Sequence, residues 1–357
     1  MTQPALFGIS RSNRDFSDPY YWGKNQFNSS FPVALACYMR SRAIPLVYIR
    51  YEDEQGTITG EMDVADVFGT NRPNEDLYFS FETRFDPFIT FVHDELPLID
   101  LVVCIENRQR SLRPLEIKLT TLPDNTTSSL SENQYGTELV IRDATTRYMA
   151  LSMTNSLRQN NQMSRVRKIF EPVLARIRNW DSVPEMIAVS PHAIEALSQY
   201  LNEFKHLQTP LLLQPIWKTI GKSSVLAENC LDIFVWSDFA LTHLFFESAL
   251  NSLNRQGISR QLRAALRLSR FIYQSSMNTA VYQAPIYDGM TYDNQNDKEF
   301  AISGTKSRRL MSCERLSNPI VTKSEIKNIV LGGGQKYLSP ERRFDAILYF
   351  SNELFDE

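Results

Sequence analysis

Hydrophobic and polar positions alternate most clearly between Pro97 and Asp124, in the string PLIDLVVCIENRQRSLRPLEIKLTTLPD. The pattern predicts a strand over Ile99–Glu106, a polar turn at Asn107–Ser111 and a second strand over Arg113–Thr120. Strand residues alternate faces, so Glu116 and Lys118 share one face while Leu115, Ile117 and Leu119 share the other. A hairpin centred on that turn sets Asp100 opposite Lys118 and diagonal to Glu116, at roughly 5–8 Å.

The same patterning divides the rest of the chain. Residues 1–31 are polar and aromatic, punctuated by Gly, Pro, Ser and Asn, and read as an ordered arm. Arg11, Arg14 and Lys24 among its aromatics suit either contact with DNA or a second subunit, or simple packing on the domain. A helix is expected from Pro32 to Arg42 with Ser30 as its cap, then a strand over Ile44–Tyr51 and a short helix at Met62–Phe68. Leu77–Phe85 and Ile89–His93 read as strands leading into the hairpin. From Ala144 the period becomes helical, over Ala144–Arg158, Ser164–Arg178, His192–Phe204, Asp238–Leu253 and Ser259–Gln274. The last part is looped, with a Gly332–Gly334 run and a final apolar segment at Phe344–Phe350. These elements predict an α/β (α+β) chain, a mixed central sheet flanked by helices with a largely helical C-terminal elaboration. The division expected is 1–140 for arm and core and 141–357 for the helical region, which either stands apart or continues the core.

Composition narrows the classes. The chain has 357 residues, 43% hydrophobic, and a formal net charge of −3. That balance excludes a polybasic binder but not a local basic groove. Cys37, Cys104, Cys230 and Cys313 are scattered without a CxxC pair and read as reduced thiols. His93, His192, His206 and His243 show no metal-ligand spacing. No secretory leader and no bilayer-length apolar run is evident, so a cytoplasmic protein is expected.

Two stretches carry candidate chemistry. An apolar hairpin with two acids and a lysine on one face is costly unless something offsets the repulsion of the acids. Mg²⁺ takes one or two carboxylates together with water and substrate phosphate oxygens. Lys118 beside such a site would orient or polarise the attacking water, which points to metal-assisted phosphodiester hydrolysis. Glu82, Glu95 and Asp94 are further acids near the hairpin in sequence. The alternative is an ordinary hairpin with an exposed Asp–Lys pair. An acid–base pair acting on a sugar would also use two carboxylates, without metal or DNA. The second stretch is Arg260, Arg263, Arg267 and Arg270, spaced to share one helix face, with no acid between Glu247 and Asp288. Such a stripe suits phosphate contacts or pairing with acids from distant elements.

Asp100 followed by Glu116-Ile117-Lys118 resembles the PD-(D/E)xK core of type II restriction endonucleases, although Pro97 precedes Asp100 by three positions rather than one. LFGISRSNRDF, WGKNQFNSSFP, DVFGTN, FSFETRF and LEIKLTTLPDNTT are more specific, and resemble the HindVP-type restriction endonucleases over about the first 130 residues. The resemblance implies a homodimer that cuts both strands of a short palindromic site with Mg²⁺, paired with a cognate DNA methyltransferase. It also implies a degenerate six-base site of the GRCGYC kind. Asp100, Glu116 and the Ile117 carbonyl would hold the metal and Lys118 would serve the water. A repair or recombination nuclease of the same fold, or a non-catalytic DNA-binding protein on that scaffold, are the alternatives. The length of chain after the core suits sequence reading, and the presence of all three core residues favours catalysis.

Overall fold

The computed structural model describes residues 33, 35–52, 56–106, 110–116, 118–119, 139–204, 207, 211–212, 218–220, 223–225, 234–235, 257–292 and 299–302. The N-terminal arm with Ser30, Ile117, the Thr120–Ser128 hydroxyls, Asp238–Leu253, the basic cluster at 306–309, the glycine run and Phe344–Phe350 lie outside them.

Helix α1 covers residues 35–41 and is followed by β1 (Leu46–Glu52) and β2 (Gly56–Met62), an antiparallel pair running from Leu46↔Met62 to Glu52↔Gly56. The second strand was not expected from the sequence, where the acidic turn at Glu52–Glu54 masked the β-branched Thr57-Ile58-Thr59 run. Helix α2 (Val64–Phe68) starts at Asp63, whose side chain accepts from the Ala65 amide. Gly69 ends it at φ 70°, where a Cβ would meet the Arg113 guanidinium at 3.3 Å.

The central sheet is β3 (Tyr78–Thr83), β4 (Ile99–Ile105) and β5 (Arg110–Leu115), antiparallel in the order β3-β4-β5. Between β3 and β4 the chain forms a 3-10 turn, Asp86–Phe91, where a strand was expected. Pro87 at its start cannot donate to a ladder, and Phe88 and Phe91 are buried from a single turn. Both faces of β4 are covered. Leu101, Val103 and Ile105 lie on the face of Phe79, whose ring stands 5.3 Å from that of Phe68 in α2. Val102 and Cys104 point the other way, into a core built mainly from helices.

After β6 (Lys118–Leu119) and β7 (Leu139–Arg142) come α3 (Asp143–Gln159), α4 (Met163–Leu174) and α5 (Val183–Glu203). Short strands follow: β8 (Leu211–Leu212), β9 (Lys218–Ile220), β10 (Ser223–Val225) and β11 (Phe234–Val235). Helix α6 (Arg260–Met277) is capped by the Ser259 hydroxyl, which accepts from the Leu262 amide. A four-residue helix, α7 (Ala284–Tyr287), and β12 (Glu299–Ile302) complete the described chain, with β12 paired to β7. One buried cluster joins Phe85, Phe88, Ile99, Val102 and Cys104 to Tyr148, Met149, Phe170, Tyr200, Phe271 and Tyr287. Apolar residues from both sides of residue 140 therefore share a core.

Candidate nuclease site

The register at the open end of the hairpin determines which acids meet. Ile105↔Arg110 and Cys104↔Ser111 are followed by Val103↔Arg113, so Leu112 is an extra residue on the β5 side. Past this bulge the pairs are Val102↔Pro114 and Leu101↔Leu115. Carried one pair further, this register would set Asp100 across from Glu116, but the ladder stops at Leu101↔Leu115. The sequence placed Asp100 opposite Lys118; the shorter loop and the bulge shift the ladder by two. Nor does Glu116-Ile117-Lys118 continue β5. The strand ends at Leu115, and Lys118 and Leu119 pair instead with Val235 and Phe234 of β11.

Asp100 and Glu116 share the face that looks toward α3. Two side chains three residues apart on that helix meet two alternate residues of the strand. The Tyr148 hydroxyl donates to the Pro114 carbonyl at 3.1 Å, and the Thr145 hydroxyl donates to Glu116 Oε1 at 3.1 Å. Glu116 is buried, 6% exposed, and Asp100 is half-buried. On the other side of β4, Phe81↔Leu101 and Thr83↔Ile99 leave Glu82 in line with Asp100, with Glu82 in the left-handed region at φ 47°. Glu82, Asp100 and Glu116 thus lie near one end of this sheet, without a ladder pair between any two of them. Among the described residues, however, no group of three or more acid, histidine or cysteine side chains is gathered closely enough to hold a metal.

The other acids near the hairpin have structural partners. Asp94 accepts from the amides of Gln283 and Ala284 at 2.7 and 2.8 Å, tying α7 to the loop before β4. Glu95 is exposed and pairs with Arg84 at 3.2 Å. His93 stacks on Tyr282, with ring centroids 4.5 Å apart. Cys37 and Cys104 are buried free thiols.

The arginine stripe of α6 does share one helix face, as the spacing predicts, but that face is turned inward. Arg263 is 2% exposed and donates to the Thr291 carbonyl at 2.7 Å. Arg267, 6% exposed, donates to the Gly289 carbonyl at 2.9 Å and to Asp143 Oδ1 at 3.2 Å. Arg270 donates to the Pro285 carbonyl at 3.0 Å and lies over the Trp180 ring at 4.7 Å. Arg260, at the first turn, is exposed. The stripe hooks residues 284–292 onto the helix, the pairing with distant elements that the sequence left open. Asp143 also faces Arg147, and burial raises its carboxyl above the usual range while both arginines pull it down. The basic side of α4 is likewise partnered in part: Arg165 pairs with Glu203 and Arg167 with Glu171.

Thr145 and Asp143, in the first turn of α3, went unnoticed in the sequence. A hydroxyl at a helix start ordinarily reads as local capping, and nothing in the string links it to an acid 29 residues earlier.

A mixed α+β chain with Asp100 and Glu116 at the open end of an antiparallel hairpin is a framework suited to hydrolytic chemistry. Comparison with known proteins gives the particular family. The model of the HindVP restriction endonuclease family matches residues 22–355. The type II restriction enzyme HgiDI of Herpetosiphon aurantiacus is 40% identical over 357 residues, covering 100% of this chain and 98% of that protein. The probable type II restriction enzyme HindVP of Haemophilus influenzae is 40% identical over 353 residues, covering 99% and 95%. The chain belongs to the HindVP restriction endonuclease family and is a type II restriction endonuclease. No solved structure matches it. Among the described residues no helix is long and apolar enough to cross a membrane.

Proposed function

We propose that the chain hydrolyses phosphodiester bonds of double-stranded DNA with Mg²⁺, at a centre formed by Asp100, Glu116 and Lys118 on a PD-(D/E)xK scaffold. The observation that carries this reading is the placement of Asp100 on β4 and Glu116 one residue past β5, beyond the last ladder pair Leu101↔Leu115, within a chain of this family. Two carboxylates are hard oxygen donors, and a Mg²⁺ site completed by water and phosphate oxygens needs no third. Asp100, Glu116 and the Ile117 carbonyl would hold the ion, which lowers the pKa of bound water and offsets charge on the phosphate when present. Lys118, two residues beyond Glu116, orients the attacking water and balances charge as the phosphorus becomes five-coordinate.

The enzyme acts as a homodimer, since a palindrome presents the same scissile bond to each of two symmetry-related subunits. The site it reads is a short palindrome, of the GRCGYC kind by resemblance to its family. A cognate methyltransferase protects the host DNA, and the compartment is the cytoplasm, where that DNA lies. Arg263 and Arg267 are left out of the DNA surface because they are buried and bonded within the chain.

The test is incubation of the purified protein with a long duplex, with Mg²⁺ and with EDTA. Discrete fragments in the Mg²⁺ lane alone are expected, and sequencing their ends gives the site. A Mg²⁺-dependent smear would favour a general or repair nuclease, and equal cutting in EDTA would remove the metal.

A further inference from the structure

Glu116 leaves the ladder immediately after β5, so strand hydrogen bonding does not fix its side chain. One group that reaches it is the Thr145 hydroxyl, from a helix 29 residues later in sequence. Thr145 is 1% exposed, and its hydroxyl is turned to Glu116 Oε1 at 3.1 Å. At that separation the contact is longer than the roughly 2.5–2.7 Å of a short charge-assisted bond, so it acts on the direction of the carboxylate more than on its energy. The turn that carries Thr145 is itself held. Asp143 pairs with Arg267 at 3.2 Å and with Arg147 at 3.5 Å, and the Tyr287 hydroxyl donates to the Thr146 carbonyl. Thr145 is therefore presented by a turn anchored to α6 and to the 284–292 segment.

We propose that Thr145 is a positioning residue of the nuclease centre, its hydroxyl holding the Glu116 carboxylate in the orientation that takes the divalent cation. The proposal rests on the reading of Glu116 as a metal ligand. Groups that hydrogen-bond a ligating carboxylate orient it, and their loss lowers metal affinity or activity by about 10–100-fold. Thr145 does not touch DNA, water or metal in this scheme; it acts through Glu116.

The test compares Thr145→Ala with Thr145→Ser. Both lose the methyl group, and only serine keeps the donor. The readouts are Mn²⁺ binding to the full chain by electron paramagnetic resonance, and the Mg²⁺ concentration that half-saturates cleavage of a long duplex. Thr145→Ala is expected to weaken Mn²⁺ binding and raise the Mg²⁺ requirement by about 10–100-fold, with Thr145→Ser near wild type. Thr145→Val, of nearly native volume, is expected to follow the alanine variant and guards against a packing defect in it. Wild-type metal binding in Thr145→Ala, or equal shifts in Ala and Ser, would overturn the proposal. Glu116→Gln separates the two levels: wild-type Mn²⁺ binding there would remove Glu116 as a ligand, and the role of Thr145 with it. Weakened binding in Glu116→Gln beside unchanged binding in Thr145→Ala would refute Thr145 alone.

Discussion

Two regions of this enzyme carry concentrated charge, the end of the β4–β5 hairpin and the arginine face of α6, and the fold treats them oppositely. At the hairpin, Asp100 on β4 and Glu116 one residue past β5 lie just beyond the last ladder pair, Leu101↔Leu115, half-buried and buried respectively. On α6, four arginines share a face, but carbonyl oxygens of Pro285, Gly289 and Thr291 and the carboxylate of Asp143 meet three of them. In sequence both read as charged side chains sharing one face, two acids and a lysine on the hairpin and four arginines on the helix. The difference is that backbone carbonyls carry no charge and do not enter a charge count, yet they accept from a guanidinium when a segment is wrapped over it, here leaving Arg267 Nε and Arg270 Nε buried without an acceptor among the described residues. A charge pattern tells which side chains share a face; it does not tell what covers that face.

The comparison can be broken most directly at Lys118. Lys118→Ala should lower cleavage by roughly 10²–10³-fold or more while duplex binding is kept, as measured by a gel assay beside a binding titration. Retained cleavage would remove Lys118 from the mechanism. The next effect is on α6. Arg267→Ala leaves Asp143 buried with less compensation and should cost roughly 3 kcal/mol of stability, read from denaturant unfolding. The salt dependence of DNA binding should not change. A slope reduced by about one would return Arg267 to the DNA surface.

A finer effect lies in the pH dependence of stability at Asp143. Its carboxyl is raised above 3.8 by burial, against the pull of Arg267 and Arg147. The folded state then binds this proton more tightly than the unfolded chain, so its contribution is full below 3.8 and is lost as pH rises through the folded value. Asp143→Asn should remove that segment of the unfolding-against-pH curve, and an unchanged curve would show that Asp143 does not titrate differently on folding. The smallest effect belongs to the exposed pair Arg165–Glu203. The hydrogen bond from Arg165 lowers the Glu203 carboxyl below 4.5, so its stabilisation is present above that value and fades as pH falls. Glu203→Gln should lower the melting temperature only slightly near neutral pH, less in high salt, and not at all well below 4.5.

Much of this architecture was legible. Periodicity located the first hairpin strand, α2, α3 and α6 to within a few residues, because each buries apolar positions, Val64, Val67 and Phe68 on α2 for example, whereas the second hairpin strand ends at Leu115, five residues before the expected Thr120. What failed was non-local. The tighter closure at Ile105↔Arg110 moved the register and the Leu112 bulge moved it partly back, and no residue type marks a bulge of this kind. The Pro87 segment satisfied the apolar content of a strand while its geometry was that of a tight turn. Helix α5 begins at Val183, nine residues before the expected start, since Ser182 caps it and Pro191 lies inside it. At the site, the two acids were legible as a pair but not their alignment. Thr145 was invisible because its partner lies across the fold.

The central claim is that Asp100 and Glu116 form one metal-dependent cleavage centre. The measurement that tests it most directly is digestion of a long duplex by wild type and Asp100→Asn side by side, in Mg²⁺ and in EDTA. Discrete fragments from wild type in Mg²⁺, and intact DNA in the other three lanes, are the predicted result. Wild-type fragments from Asp100→Asn in Mg²⁺ would contradict the assignment and leave the aligned acids as an ordinary feature of the sheet.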